Sequence, residues 1–158
     1  MLLLPLKKIL WPTDFSDCSY VALSCALELA DHFKAELHIV HIIPAVPRPI
    51  GHTPDESDAY QIDLGEYEAA LHTNAQQKMH EVVTQRIPAT QPTRQIVGHG
   101  DAPSEIARLA EDDRVDLIVI TTHGMTGWRN VAFGSVAERV VRLATRPVLS
   151  IRAPCKPS

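Results

Sequence analysis

The sequence predicts an α/β fold, a parallel sheet of five strands with helices on both faces. Three observations predict it. Short apolar runs alternate with helix-period segments in the order β-α-β-α-β-α-β-α-β, and that alternation implies right-handed crossovers between parallel strands. The run Val115–Thr121 is almost continuously apolar, as a strand buried on both faces must be. The chain has 158 residues, 45% apolar and 22% charged, which suits one ordinary hydrophobic core and leaves no room for a second. A single domain over residues 1–158 is expected, with its core at about 6–152.

The first strand is Lys7–Thr13, ended by Pro12 and a polar turn. Ser16 is the expected N-cap of the first helix, in which Cys18, Ala22, Cys25, Ala26, Leu29, Ala30 and Phe33 recur at threes and fours. Glu36–Ile43 is the second strand. The stretch that follows, about 44–62, is rich in Pro, Gly, Asp and Ser, and reads as a long mobile surface loop. Tyr67, Leu71, Ala75, Met79, Val82 and Val83 mark the second helix, closed by Pro88. Thr93–Gly98 is less hydrophobic and belongs at a sheet edge. Ile106, Leu109 and Ala110 mark a short helix behind Asp101 and Pro103. After the apolar fourth strand, Val136, Val140, Val141 and Ala144 mark the last helix, and Pro147–Ile151 the last strand.

Composition excludes several classes of function. Fifteen Lys and Arg against nineteen Asp and Glu give a net charge of −4, whereas nucleic-acid and anionic-membrane surfaces need a basic excess. No stretch approaches the ~18 apolar residues of a membrane span. Three cysteines are too few for a disulfide framework, and their usage suits a reducing compartment, the cytoplasm. Cys25 falls on the apolar helix face, and Cys18, at a helix start, is a candidate for a lowered thiol pKa.

Ligands of open α/β sheets bind beyond the carboxyl ends of the strands, where strand order reverses, so two loops stand out. Pro12-Thr13-Asp14-Phe15-Ser16 could aim a carboxylate over the sheet edge; equally, Asp14 and Ser16 could only start a helix. Thr122–Ser135 carries Gly124, Gly127 and Gly134 and is long for a strand–helix connection. Ser135 and Glu138 have the spacing of a capping box. Backbone N–H groups at that helix start make an anion site, to which Arg129 adds charge. Spacing alone leaves open a purely structural turn, with Trp128 and Phe133 packed on the core. No Walker A loop, three-glycine dinucleotide fingerprint or nucleophile elbow is present. His38 and His41, three apart on one strand, point to opposite faces and cannot share a metal.

These residues also resemble a known family. Lys8-Ile9-Leu10-Trp11-Pro12-Thr13-Asp14-Phe15-Ser16 resembles the opening of universal stress proteins. Thr122-His123-Gly124, nine residues, then Gly134-Ser135-Val136-Ala137-Glu138-Arg139-Val140 resembles their nucleotide loop, and Gly100-Asp101-Ala102-Pro103 and Pro147-Val148-Leu149 match the family at a turn and at the closing strand. The resemblance implies a Rossmann-like sheet of the adenine nucleotide alpha hydrolase type, in the order 3-2-1-4-5. It sets the two loops across one cleft and implies that the cleft binds ATP or a related adenine nucleotide, with Mg²⁺ arriving on the phosphates. Pro12, Thr13, Asp14 and Ile42 would meet the adenine end. Thr121, His123, Gly124, Gly127, Arg129, Gly134, Ser135, Val136 and Ala137 would meet ribose and phosphates. Similar proteins pair as homodimers through the last strand, here about Pro147–Arg152. Thr121 stands where nucleotide-binding members have the first glycine of their pattern. Two alternatives therefore accompany this reading, a dimer that binds no nucleotide and works through protein partners, and a slow ATPase, for which the sequence offers no clear general base.

Overall fold

The computed structural model describes residues 4–45, 64–122 and 134–152. The expected surface loop at 44–62 lies, apart from Pro44 and Ala45, outside them. The described elements are β1 (Lys8–Pro12), α1 (Asp17–Phe33), β2 (Glu36–Ile43), α2 (Leu64–Arg86), β3 (Thr93–His99), α3 (Ala102–Asp112), β4 (Leu117–Thr121), α4 (Ser135–Leu143) and β5 (Val148–Ile151). The five strands are parallel and lie in the order β3-β2-β1-β4-β5.

Side-chain alternation along the strands builds the two faces. Ile9 and Trp11 of β1, Leu37 and Ile39 of β2 and Leu117 and Val119 of β4 pack with α1 and α2. Leu10, Val40, Ile42, Ile118 and Ile120 point the other way, onto Ile106 and Ala110 of α3 and Ala137 and Val140 of α4. A strand buried on both sides is apolar along nearly all of its run, and β4, apolar from Leu117 to Ile120, is buried along its whole length. β3, at the edge, has exposed positions.

Sequence capping signals operate at two helices. The Ser16 hydroxyl accepts from Ser19 N at 3.2 Å, and Asp101 Oδ2 accepts from Ser104 N at 3.3 Å. Arg139 of α4 grips the same Asp101 carboxylate with two hydrogen bonds of 2.8 Å, tying the starts of α3 and α4 together. That bidentate bond holds the Asp101 carboxyl below its usual range. At α4 the expected capping box does not form. Gly134, which has no side chain to cap with, is the N-cap, and Ser135 is the first residue of the helix. Cys18 is disulfide-bonded, which corrects the expectation of a thiol with lowered pKa. The Cys25 thiol is free, and burial pushes its pKa up.

Candidate functional site

The β1–α1 loop and the described ends of the second loop, Thr122 and Gly134-Ser135, lie at the carboxyl ends of β1 and β4, which are neighbours in the sheet. Between them lies a cavity of about 240 Å³. Pro12 lines it from the end of β1, Thr13 and Asp14 from the turn that follows, His41 and Ile42 from β2, Thr121 from β4, and Gly134, Ser135, Val136 and Ala137 from the start of α4. Nine of the thirteen expected site residues thus share one cleft. His123, Gly124, Gly127 and Arg129 lie outside the described residues, as do Trp128 and Phe133.

The β1–α1 turn is fixed by its own polar groups. Thr13 N donates to Val40 O at 2.8 Å. The Thr13 hydroxyl accepts from Phe15 N at 2.9 Å and is bonded to the Ser19 hydroxyl, also at 2.9 Å. Asp14 Oδ1 accepts from Ser16 N at 3.0 Å and from the Ser16 hydroxyl at 2.5 Å. Asp14 therefore helps start the helix, as the simpler reading of this loop held, and lines the cavity as well. Phe15 takes a left-handed backbone, φ 62°, which costs a non-glycine residue energy and which these bonds hold in place. Buried Trp11 adds a tie, its Nε1 donating to Ser19 O at 3.0 Å.

The opposite wall is the α4 N-terminus. Gly134 N donates to Thr122 O, which brings the helix start against the end of β4. The N-cap is a glycine, and among the described residues no side chain caps this helix, so its first residues, which line the cleft, present it with backbone N–H groups and the positive end of the dipole. The floor beneath is apolar, made by Val40, Ile42, Ile106 and Ile120. Thr121 is buried at the wall. The cleft thus offers both an anion-favouring helix start and an apolar surface that suits a flat ring.

Sequence reasoning missed His41 as a lining residue. Its signal was position alone, next to Ile42 at the end of β2. Its Nδ1 donates to Thr13 O at 2.9 Å, and its ring lies 4.3 Å from that of Phe15, centroid to centroid. Burial pushes the imidazole pKa below its ordinary value; the bond to Thr13 and the charge of Asp14 offset part of this, while Lys78 adds to it. With a folded pKa below the unfolded one, the neutral ring's contribution to stability is complete above about pH 6.5 and is lost as pH falls through the folded pKa. His41→Asn keeps an N–H for Thr13 O and cannot be protonated. We expect its melting temperature to fall less than that of the parent between pH 7.5 and 5, read by circular dichroism; an equal fall in both proteins would contradict this.

Comparison with known proteins agrees with the fold. Residues 5–152 match the universal stress protein family. The chain is 34% identical to universal stress protein MJ0531 of Methanocaldococcus jannaschii over 95% of its own length and 84% of the relative's. It superposes on the solved structure of MJ0577 from the same organism with a TM-score of 0.75, at 28% identity, covering 96% of this chain and 99% of the other. A universal stress protein of Arabidopsis thaliana solved with AMP bound shares the fold at a TM-score of 0.63 and 14% identity, over 94% of this chain and 93% of that one.

Proposed function

The chain belongs to the universal stress protein family, and from that premise we propose that it binds an adenine nucleotide, ATP with Mg²⁺ on its phosphates, in the cleft between β1, β2 and α4. One observation carries the reading: the cleft combines an apolar floor with a helix start whose N-cap is a glycine and which, among the described residues, no side chain caps. The phosphates lie at Gly134, Ser135, Val136 and Ala137, where backbone N–H groups and the helix dipole favour negative charge. The base lies over Ile42, beside Pro12, Thr13 and Asp14. Thr121 lines the ribose stretch, within reach of a sugar hydroxyl. The AMP-bound Arabidopsis protein lends support at the level of fold.

The protein acts as a homodimer in a stress response, pairing through β5. Two features support this. β5 is a sheet edge with half-buried apolar residues, which needs cover, and Val141 and Leu143 of the adjacent α4 are exposed. A second reading, a dimer without nucleotide, is favoured by Thr121, whose branched side chain occupies volume at the cavity wall that a glycine would leave open.

Calorimetry with ATP and Mg²⁺ decides between them. Saturable heat is expected. At about 100 times Kd the ligand stabilises the fold by about 2.7 kcal/mol, a rise in melting temperature of about 5–10 °C. Absence of both effects would leave the partner-only reading.

A further inference from the structure

Gly98 of β3 lies beside Ile42 of β2 in the parallel register. A Cβ built on Gly98 would come within 2.7 Å of Ile42 Cδ1, closer than two carbon atoms can pack. Ile42 is 7% exposed and belongs to the cluster formed with Val40, Ile106 and Ala110. Packed interiors offer little spare room, and the open side next to Ile42 is the cavity it lines. The gap at Gly98 is therefore where the tip of Ile42 retreats from the cleft.

We infer that Gly98 is a positioning residue for the ligand: lacking a Cβ, it lets Ile42 lie back over β3 and keeps the apolar end of the cleft deep enough for a purine base. The inference rests on the reading that this cleft binds a nucleotide. Gly98 does not touch the ligand. It acts through Ile42, so bases of different size respond differently to its substitution. No left-handed backbone is at stake at this position, and the atom that must move is the far end of a flexible side chain. Gly98→Ala thus moves the tip of Ile42 toward the cleft while the sheet stays intact.

The test compares the parent, Gly98→Ala, Ile42→Val and the double variant by calorimetry with ATP and with CTP, alongside melting curves. Gly98→Ala is expected to weaken ATP about tenfold or more, and CTP, with its smaller ring, distinctly less. Ile42→Val removes the Cδ1 methyl; in the double variant ATP affinity returns to within about threefold of the parent. Merely structural damage would weaken both nucleotides alike and would not be rescued. Equal losses for ATP and CTP, no rescue, or a Gly98→Ala protein that binds ATP like the parent would each overturn the inference and leave the nucleotide reading standing. A parent chain that binds no nucleotide would remove both.

Discussion

Ser135→Glu is expected to weaken ATP binding about a hundredfold or more while leaving the fold as stable as before, or slightly more so. Ser135 is the first residue of α4, is exposed, and lines the cleft. A carboxylate in the first turn of a helix is favourable to the dipole, by about 0.3–1 kcal/mol. In the ligand-bound state the same carboxylate stands beside the phosphates. Two unit charges about 5 Å apart repel by about 3 kcal/mol at an effective dielectric near 20, which is about a hundredfold in Kd. Ser135→Ala is the control. It removes one hydroxyl and should cost about 0.5–1.5 kcal/mol, at most about tenfold. Melting curves and calorimetry on the three proteins separate the terms. If the Glu variant binds ATP as the parent does, the phosphates do not sit at α4.

Much of this geometry could be read from the residues, and the parts that could not share a cause. Glu36–Ile43 has its strand bounds in its apolar run and in Pro44, and Ser16 and Asp101 announce the helices they cap. These are local signals, carried by residues in contact along the chain. Ser135 and Glu138 also show a local signal, yet the capping box is not made. The contact between Gly134 N and Thr122 O ties α4 to the end of β4, and Gly134 becomes the cap instead. No spacing rule shows a bond that closes a loop. Strand order was likewise invisible to periodicity and came only with the family resemblance. The same limit hid Gly98. It sits in an ordinary edge strand, and its meaning lies in a neighbour 56 positions away, Ile42, brought alongside by sheet register. Alternation did separate His38 from His41, but not what each would meet.

What His38 meets makes it a residue whose loss should cost the fold stability without touching the site. The ring is fully buried. Nδ1 lies 3.1 Å from Asp113 Oδ2 and Nε2 3.1 Å from Glu36 Oε2. Asp113 closes α3; its other carboxylate oxygen accepts from Arg94 of β3 at 2.8 Å, and its carbonyl accepts from Lys8 Nζ of β1 at 3.0 Å. The imidazole thus joins the end of α3 to the start of β2, and Asp113 carries the tie on to Arg94 of β3 and Lys8 of β1. His38→Leu fills most of the ring's volume, so the cavity contribution is small and the cost is polar. Glu36 is exposed enough to turn to water, whereas Asp113 is 15% exposed at its side chain and keeps, among the described residues, Arg94 as its side-chain donor. A buried acceptor that loses one of its donors costs about 1–3 kcal/mol, a drop in melting temperature of about 3–10 °C. The cleft should not register the change. His38 is four residues down β2 from Ile42, about 13 Å at a strand's rise. Urea unfolding of His38→Leu should therefore show the stability loss with ATP affinity within about twofold of the parent, since distant sites add independently. A variant of normal stability with weakened ATP binding would mean that the two ends of this strand are coupled and that the cleft is not organised by its own local bonds.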